Sequence, residues 1–278
     1  METIHHSAAE GYSAKADIYV HGRPDYPADV DGWLRNDLGL IDGKTVVDLG
    51  AGTGKFTPRL LATGAAVIAV EPVLAMLERL VRLHLDVEAK EGSAEHIPLA
   101  DASVDAVVCA QSFHWFATPE ALRDICRVLK QGGALGLIWN VRDETVEWVA
   151  ALTKIMEPFA GDTPRYRTQE WRRLFPADGF SVPRVRRFSN AHTGSPGQVI
   201  VARVLSVSFI AALPDREQER VASQIRELIA VSPDLAGKAL VTFPYETVAS
   251  VAPSSARSRS LLTFLISVSP TVPDGSAK

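Results

Sequence analysis

Three glycines at alternate positions follow a short apolar run in this chain, and together they could form a nucleotide-binding turn. Residues 46–54 read VVDLGAGTG. The β-branched run is typical of a buried parallel strand. Glycines this close together let the backbone turn sharply and let a ligand approach where a side chain would collide. A helix-forming stretch follows at residues 56–63, with Gly64 placed to end it, so we expect a ligand pocket at the C-terminal edge of a parallel sheet.

The spacing of the glycines separates three classes of cofactor. A P-loop requires glycine, four residues, and then Gly-Lys-Ser/Thr, but here leucine occupies the first glycine position and Phe56 follows the lysine. A dinucleotide fingerprint, Gly-x-Gly-x-x-Gly, would place its last glycine at Lys55 or Thr57. Both classes are therefore excluded. The remaining pattern is Asp-x-Gly-x-Gly-x-Gly, which begins at Asp48.

This pattern resembles the first motif of the class I S-adenosylmethionine (AdoMet) methyltransferases. The resemblance implies that the glycine turn lies against the methionine part of AdoMet, with Asp48 nearby. The turn consists of Gly50, Gly52 and Gly54. In that family the second strand ends in an acidic residue that binds both ribose hydroxyls, and here the run VIAV ends in Glu71, 23 residues after Asp48. A carboxylate can accept two hydroxyl protons at once.

Glu71 also has a simpler interpretation. It could favour the start of a helix at Pro72 through the helix dipole. The strand, the acid and the spacing agree with the family pattern, so we predict Glu71 and Pro72 as cofactor contacts.

A third segment resembles the part of the family that contacts the edge of adenine. A short strand is predicted at residues 87–90, and the sequence EGSAEHIPL follows it. The resemblance implies contacts from Ser93, Ala94 and Glu95. The family often has aspartate where this chain has serine or alanine, which puts the side-chain contact in question but not the backbone contact. Met76, on the helix after the acidic residue, could cover the other face of the base or could be a core residue.

A fourth strand is predicted at residues 105–110, and it ends in the sequence QSFHWF at the same edge as the glycine turn. The resemblance implies that this segment faces the sulfonium and the incoming methyl acceptor. The predicted cofactor contacts are Ala110, Gln111 and Ser112, and the predicted substrate contacts are Phe113, His114 and Trp115. The aromatic faces could attract the positively charged sulfur, or they could fill the space between the sheet and a cap.

His114 is the titratable residue of that cluster whose ordinary pKa suits proton removal near neutral pH. We predict it as the catalytic residue, a general base for a hydroxyl, carboxyl or amine acceptor. The alternative is a hydrogen-bonded wall residue, because proximity alone can drive methyl transfer. If the acceptor is a carboxylate, no base is needed and His114 acts only as a hydrogen-bond donor.

Three further residues are candidates for substrate binding. Trp139 and Asn140 lie at the end of the fifth strand, predicted at residues 134–141, and would be at the ligand edge. Arg165 belongs to a stretch, residues 165–187, that contains seven arginines and two acidic residues. Arginine binds carboxylates in a bidentate way, but the same stretch could simply form a solvated face.

The N-terminal residues carry a more specific resemblance. YSAKADIY at residues 12–19, followed by RPDYP at 23–27, resembles the start of the small-molecule branch that includes trans-aconitate methyltransferases. In that branch this segment folds over the AdoMet pocket. The resemblance implies that Tyr12, Tyr19 and Arg23 cover the cofactor, with Arg23 offering a cation to its carboxylate or to an acidic substrate. The alternative is a tail whose aromatic residues have no role.

Strands and helices alternate as far as residue 141, which is typical of βαβ units. We predict an α/β fold with a Rossmann-like, seven-stranded, mostly parallel sheet, helices on both faces, and a helical lid inserted around the late strands. The 278 residues would form a single domain, 1–278. Its predicted parts are a cofactor-covering segment 1–40, an AdoMet-binding core 41–141, lid insertions and an outer strand 142–239, and a last strand and tail 240–278.

Composition limits the possible partners. The net charge of −4 and the isoelectric point near 6.0 give no general attraction to nucleic acid or anionic membranes. The two cysteines, Cys109 and Cys126, are expected to be buried thiols, without a disulfide or a metal site. No signal peptide or membrane span is expected, so we predict a cytoplasmic monomer or homodimer. The role of an apolar stretch at 261–268 stays open.

These patterns together favour an AdoMet-dependent methyltransferase that acts on a small molecule, at a hydroxyl or carboxylate oxygen, and releases S-adenosylhomocysteine. Two alternatives stay open: a non-catalytic AdoMet-binding protein, and an RNA or protein methyltransferase on the same fold. The identity of the acceptor, and the choice of oxygen over nitrogen or carbon, cannot be deduced from the sequence.

Overall fold

The computed structural model describes residues 22–177 and 179–254. Seven strands form one sheet in the order β3-β2-β1-β4-β5-β7-β6. The strands are β1 Thr45–Leu49, β2 Ala66–Glu71, β3 Glu88–Glu91, β4 Val104–Ala110, β5 Leu129–Arg142, β6 Arg184–Gly194 and β7 Val241–Pro253. Strands β1 to β5 are parallel, whereas β7 is antiparallel to both β5 and β6. The predicted Rossmann-like, mostly parallel sheet is confirmed.

Helices connect β1 to β2, β2 to β3 and β4 to β5, whereas residues 92–103 connect β3 to β4 without a helix. The helices are α1 Val30–Asn36, α2 Thr57–Leu61, α3 Leu74–Leu83, α4 Pro119–Val128, α5 Glu147–Met156, α6 Arg203–Leu205, α7 Ser208–Ala211 and α8 Asp215–Val231. Local sequence explains several boundaries. The Thr118 hydroxyl accepts the Ala121 N–H at the start of α4, where proline occupies the first turn, and Pro214 directly precedes α8.

Alternate residues of the central strands pack on opposite faces of the sheet. Val46 and Val108 belong to one buried cluster, whereas Val47 and Val107 belong to another. Because helices cover both faces, these strands are apolar on both sides, and this is why their sequences are continuous hydrophobic runs. The arrangement also brings the C-terminal ends of β1, β2 and β4 to one edge.

A third buried cluster lies outside this sandwich. It combines α5, the short helices after β6, α8 and the start of β7, with Trp148, Leu152, Ile225 and Phe243 among its members. The segments between β5 and β6 and between β6 and β7 therefore share a core of their own. This is the position predicted for helical insertions, while their action as a lid and the boundaries 1–40, 41–141, 142–239 and 240–278 stay predictions.

The fifth strand differs from its prediction. It was expected to begin at residue 134, after a helix ended by a glycine pair, but β5 begins at Leu129, directly after α4. Leu129 pairs with Val104, and the register then shifts before Ala134 pairs with Ala106. Hydrogen bonding to a strand 25 residues earlier in the chain decided this boundary, and that pairing is not visible in the local sequence.

Some predictions fall outside the described residues, namely those for Tyr12, Tyr19 and the stretch 261–268. Within the described residues, both cysteines are buried free thiols, as expected. Among those same residues, no helix has the combination of length and apolar composition that a membrane crossing needs.

Candidate functional site

A cavity of about 220 Å³ lies at the C-terminal edge of β1, β2 and β4. We call it the first cavity. The predicted cofactor residues that line it are Arg23, Gly50, Gly52, Glu71, Pro72, Met76, Ser93, Ala94, Glu95, Ala110, Gln111 and Ser112. These residues come from segments that are far apart in the sequence. The segments predicted from spacing and resemblance thus meet around the first cavity.

The glycine turn needs glycine for two different reasons. At Gly50, φ is +66° and an added Cβ would lie 2.7 Å from the Cβ of Ser112, so the neighbouring strand end leaves no room for it. At Gly52, φ is +58°, and an added Cβ would meet only the Met76 sulfur at 3.9 Å. The space over Gly52 belongs to the first cavity, where a ligand can approach the backbone.

Two of the predicted cofactor residues do not line the first cavity. Gly54 packs against the ring of His84, which would be 2.7 Å from an added Cβ. Asp48 is 1% exposed, and its Oδ2 accepts the Thr57 hydroxyl at 2.8 Å. Both residues lie behind the turn, because the strand and the following helix pack there. We correct these two predictions from direct contact to support of the turn.

The environment of Asp48 is unusual for a carboxylate. Its pKa is raised to about 7, chiefly by burial and to a smaller extent by the charge of Glu71, while the Thr57 hydroxyl opposes the rise. Among the described residues Oδ1 has no hydrogen-bond partner. A buried acceptor of this kind can receive a hydrogen bond from a water behind the turn.

Glu71 lies at the end of β2 and is buried, yet it lines the first cavity. Its Oε2 accepts the Gly52 N–H at 2.8 Å and its Oε1 accepts the Val73 N–H at 3.0 Å. Burial raises its pKa, while these two N–H groups oppose the rise. Each oxygen keeps a lone pair, so the carboxylate can hold the turn and the start of α3 and still accept two further donors.

Gln111 separates two spaces at the end of β4. Its φ is +60°, a left-handed conformation that is rare outside glycine. The conformation is held by two hydrogen bonds to β5, from the backbone N–H to the Ile138 carbonyl at 2.8 Å and from Nε2 to the Asn140 carbonyl at 3.2 Å. Non-glycine residues held in this way concentrate at functional sites.

A second cavity, of about 390 Å³, adjoins the first. The two share five lining residues: Arg23, Gln111, Trp115, Asn140 and Arg203. The second cavity is enclosed by the end of β5, by α5, by the turns at residues 157–168 and by the segment around α6 and α7. Of the predicted substrate residues, it is lined by His114, Trp115, Asn140 and Arg165.

Phe113 and Trp139 line neither cavity, contrary to prediction. Phe113 is fully buried and its ring packs edge-on against Phe116 and Trp171. Trp139 is also fully buried, with the rings of Tyr166 and Trp171 at 4.8 and 4.7 Å. Both fill the space between the sheet and the turns above it, because large aromatic rings are most stable when completely desolvated.

The protonation of His114 follows from its neighbour. Its Nδ1 accepts the indole N–H of Trp139 at 3.2 Å, and an indole nitrogen can only donate. The neutral ring therefore carries its proton on Nε2. Burial, followed by the positive charge of Arg23, lowers the pKa of His114 to about 3. A neutral imidazole that already bears a proton on its remaining nitrogen is a hydrogen-bond donor, which argues against the predicted general-base role.

The side-chain amide of Asn140 forms hydrogen bonds with other residues of the protein. Its Nδ2 donates to the Asp25 carbonyl at 3.3 Å, and its Oδ1 accepts from Thr247 and from Asn190. The same Nδ2 lies 3.5 Å from the Pro24 carbonyl. These contacts hold residues 24–25 in place, and thereby also the preceding residue, Arg23, beside both cavities. Asn140 thus positions the site in addition to bordering it.

Beside the predicted Arg165, the second cavity is lined by charged residues that sequence reasoning missed: Arg142, Arg203, Glu144 and Glu157. Arg165 pairs with Glu157 at 3.1 Å, and Arg167 pairs with Glu157 at 3.2 Å and with Glu144 at 3.4 Å. Arg142 donates to the Met156 sulfur at 3.2 Å. Burial, followed by the positive charge of Arg203, lowers the pKa of Arg142 to about 10.

One of these residues had a signal in the sequence. Arg142 follows Asn140 by two positions on β5, so it belongs to the same side of the strand. Arg203 had none, because it follows β6 and reaches the cavity only through the packing of the insertions. Across residues 22–177 and 179–254, no group of three or more histidine, cysteine, aspartate or glutamate residues is arranged to hold a metal ion.

Residues 47–137 match the family model of a methyltransferase domain. An uncharacterised methyltransferase-like protein of Schizosaccharomyces pombe is 38% identical over 238 residues, which cover 84% of this chain and 93% of that one. An uncharacterised methyltransferase of Mycobacterium tuberculosis is 37% identical, with 85% and 93% covered.

Solved structures with low sequence identity share the fold. The YcgJ protein of Bacillus subtilis aligns with a TM-score of 0.56 at 18% identity, covering 83% of this chain and all of that one. The [4+2]-cyclase SpnF aligns with a TM-score of 0.54 at 15% identity, covering 90% and 96%. At such identities the likeness concerns the fold alone, and the reaction has to be argued from the site.

Proposed function

The chain belongs to the class I AdoMet-dependent methyltransferases, and from this premise we propose that it methylates an oxygen atom of a small molecule. One observation carries the proposal: two cavities of about 220 and 390 Å³ adjoin at the C-terminal edge of the sheet and share Gln111 and Arg23. A cavity of this size beside the first cavity suits a small metabolite.

The residues of the first cavity fit AdoMet. The free lone pairs of Glu71 suit a pair of ribose hydroxyls, because the residue lines the first cavity while each of its carboxylate oxygens accepts only one backbone N–H. The open space over Gly52 admits a ligand against the backbone. Met76 and Ala94, both lining the cavity, offer apolar surface to a base.

The protein contributes to methyl transfer by positioning the acceptor and by surrounding the sulfonium with suitable side chains. AdoMet, when bound, supplies an electrophilic methyl group on a sulfonium, and S-adenosylhomocysteine is released when an acceptor atom takes that methyl. Holding the acceptor in line with the methyl group is worth about 7–11 kcal/mol of the barrier in well-oriented systems. Trp115 borders both cavities, and its ring face suits a cationic sulfur.

We assign His114 the role of a hydrogen-bond donor to the acceptor. Its Nε2 bears the proton, because Nδ1 is occupied by Trp139, and the residue lines the second cavity. It can orient an acceptor oxygen but cannot take a proton from it. Arg23 borders both cavities and donates to the Ser206 carbonyl at 3.0 Å, which places its charge where an anionic group of the cofactor or of the acceptor would lie.

Calorimetric titration tests the cofactor assignment. We expect heat of binding from AdoMet and from S-adenosylhomocysteine, and none from NAD or ATP at the same concentrations. Tight NAD or ATP binding without any heat from the two sulfur compounds would overturn the proposal.

Transfer of a labelled methyl group from AdoMet tests the reaction. The protein is incubated with a metabolite extract, with RNA and with a protein extract, and the labelled products are identified. We expect a labelled small molecule. Label in RNA or protein alone would select a macromolecular methyltransferase, and cofactor binding without transfer to any fraction would select a non-catalytic AdoMet-binding protein.

A further inference from the structure

The third glycine of the turn faces a histidine ring, whereas the second faces the first cavity. At Gly54 φ is +81°, and an added Cβ would lie 2.7 Å from Cδ2 and 2.9 Å from Nε2 of His84. Real Cβ atoms essentially never make contacts this short, so the imidazole occupies the space that a side chain at position 54 would need. Gly54 is therefore required for close contact with another part of the protein.

The same ring makes a hydrogen bond to the turn. Nε2 of His84 lies 3.1 Å from the Gly54 carbonyl oxygen. A carbonyl oxygen can only accept, so Nε2 carries a proton and donates it, as it can in both the neutral and the charged ring. The bond holds the peptide that joins Gly54 to Lys55. Lys55 and Phe56, which follow directly, line the first cavity.

The backbone of His84 is anchored where it presents this ring. His84 directly follows the last residue of α3, and its N–H donates to the Leu80 carbonyl at 2.9 Å. Its own carbonyl accepts the Val87 N–H at 3.2 Å. Leu80 is fully buried and lies beside Gly54 as well. The imidazole is thus attached to a fixed helix end and not to a loop.

Helix α3 is connected to the glycine turn at both of its ends. Before its first turn Glu71 accepts the Gly52 N–H, and after its last turn His84 donates to Gly54. Between the two connections α3 carries Met76, which lines the first cavity. The turn and the helix therefore surround one side of the cavity as a connected unit, in which each connection limits the conformations of the turn.

A turn with three glycines in five residues needs such limits. Glycine loses more conformational freedom on ordering than any other residue. When a ligand binds only one conformation, its affinity is reduced in proportion to the fraction of molecules that adopt this conformation before binding. Contacts that hold the turn in advance therefore raise the affinity without touching the ligand.

We propose that His84 is a positioning residue for the cofactor, because its hydrogen bond to Gly54 and its packing on Gly54 keep the turn in the conformation that binds AdoMet. The inference rests on the proposed function, with AdoMet as the ligand of the first cavity. It gives a role in the reaction to a residue that lines neither cavity. Since the role is exerted before binding, its loss reduces the affinity for the cofactor and leaves the rate of transfer from bound AdoMet unchanged.

Calorimetric titration with S-adenosylhomocysteine measures the effect of the hydrogen bond. His84→Phe keeps an aromatic ring but removes the donor, and it should weaken binding by about threefold to tenfold, as expected for one neutral hydrogen bond. His84→Gln keeps an N–H donor and should recover part of the affinity. With AdoMet at saturation, both variants should transfer a labelled methyl group to the metabolite extract at the wild-type rate.

Gly54→Ala tests the packing of the ring. In the wild-type background the added methyl group has to displace the imidazole, whereas with His84→Ala the space is vacant. We therefore expect the two substitutions to be non-additive in S-adenosylhomocysteine affinity, with a coupling of about threefold or more. Strict additivity would mean that Gly54 is required only for its positive φ and would overturn the proposed contact.

Val104→Ala is the control for a general loss of stability. Val104 is buried at the start of β4, whereas the first cavity lies at the end of that strand. The truncation should lower the thermal midpoint but keep the affinity for S-adenosylhomocysteine within about twofold, because the two sites are independent.

Three results would contradict the role of His84: wild-type affinity in His84→Phe, a slower transfer at saturating AdoMet in that variant, or an equal loss of affinity in Val104→Ala. A wild-type protein that does not bind S-adenosylhomocysteine would instead mark failure of the proposed function itself.

Discussion

Two buried carboxylates next to the glycine turn differ because of their partners. Glu71 accepts two backbone N–H groups and lines the first cavity, whereas Asp48 accepts one hydroxyl and lies behind the turn. Asp48 lies two residues before a glycine and Glu71 lies at the end of a strand. Both positions suggest that the carboxylate could contact a ligand. The contacts favour Glu71 for that role and leave Asp48 as a support, because of the two only Glu71 lines the first cavity.

Glu71→Ala is expected to weaken AdoMet binding by about tenfold or more, since two charge-assisted hydrogen bonds would be lost. Calorimetric titration measures the change. Glu91→Ala is the control: Glu91 is the partner of Glu71 in the β2–β3 register, but it is exposed and lies outside the first cavity. Equal affinity of the wild type and Glu71→Ala would contradict the ribose assignment.

The pH behaviour of His114 provides a second prediction at this scale. Its pKa is lowered to about 3 in the folded protein, so as the pH falls below about 6.5 the unfolded chain takes up this proton first. The stabilisation associated with the neutral ring is thus present above pH 6.5 and is lost progressively toward pH 3. Ring nitrogen chemical shifts should report a single neutral form, protonated on Nε2, from pH 5 to pH 8.

Trp139→Phe tests whether the indole N–H of Trp139 fixes the tautomer of His114. The variant keeps an aromatic ring but removes the indole donor, so Nδ1 of His114 should lose its fixed role and the Nε2–H form should no longer be exclusive. His114→Gln identifies the signal by its disappearance. A ring that titrates between pH 6 and 7 in the wild type would reinstate the general-base assignment.

At the scale of elements, the turn between β1 and α2 combines backbone conformation with ligand access. Gly50 is limited by the adjacent end of β4, through Ser112, while Gly52 faces open space. The Ser112 hydroxyl also donates to the Leu49 carbonyl at 2.7 Å. The end of β4 therefore fixes the turn from one side and Glu71 fixes it from the other, which leaves a rigid surface for a ligand.

A comparison of Gly52→Ala with Gly43→Ala separates the effect of backbone conformation from the effect of ligand access. Both glycines have positive φ, +58° and +80°, and neither has a close neighbour for a new Cβ. Each substitution should therefore cost about 1–2 kcal/mol of stability through backbone strain. Only Gly52→Ala should also reduce AdoMet affinity, by about tenfold or more, because only Gly52 lines the first cavity.

Urea unfolding and calorimetric titration of the two variants provide the comparison. A parallel loss of AdoMet affinity in Gly43→Ala would show that strain, and not contact with the ligand, explains the effect at Gly52.

At the scale of the whole molecule, separate cores support the two cavities. The first cavity is built on the sheet and its flanking helices, whereas the second depends on the insertions that pack around Leu152 and Phe243. Destabilising one core should therefore affect the two cavities unequally.

Leu152→Ala and Leu80→Ala test this separation, since both leucines are fully buried, one in each core. Each truncation should cost about 2–5 kcal/mol in the free energy of unfolding. Leu80→Ala should weaken AdoMet binding, because Leu80 packs against the turn at Gly54. Leu152→Ala should keep AdoMet affinity within about threefold and reduce methyl transfer. The same loss of affinity in both variants would show that the cores are not independent.

The core of the fold and the cofactor side of the site could be predicted from sequence. The spacing of Asp48, the three glycines and Glu71 is set by short connections within one βαβ unit. Such a unit can close in only one hand, and the ends of its parallel strands meet at one edge. This is why residues as distant as Gly52 and Ser93 could be assigned to one cavity before any contact was known.

The acceptor side was decided by tertiary structure. Arg142, Arg203 and Glu157 meet only because two insertions, separated by β6, share a buried core. The tautomer of His114 depends on Trp139, which is 25 residues away on β5. Local spacing carries no information about such contacts, since they are formed by packing between elements that are far apart in the chain. The sequence by itself thus determined the turn that can hold a nucleoside, while only the folded protein determined which charged residues line the second cavity and which nitrogen of His114 bears the proton.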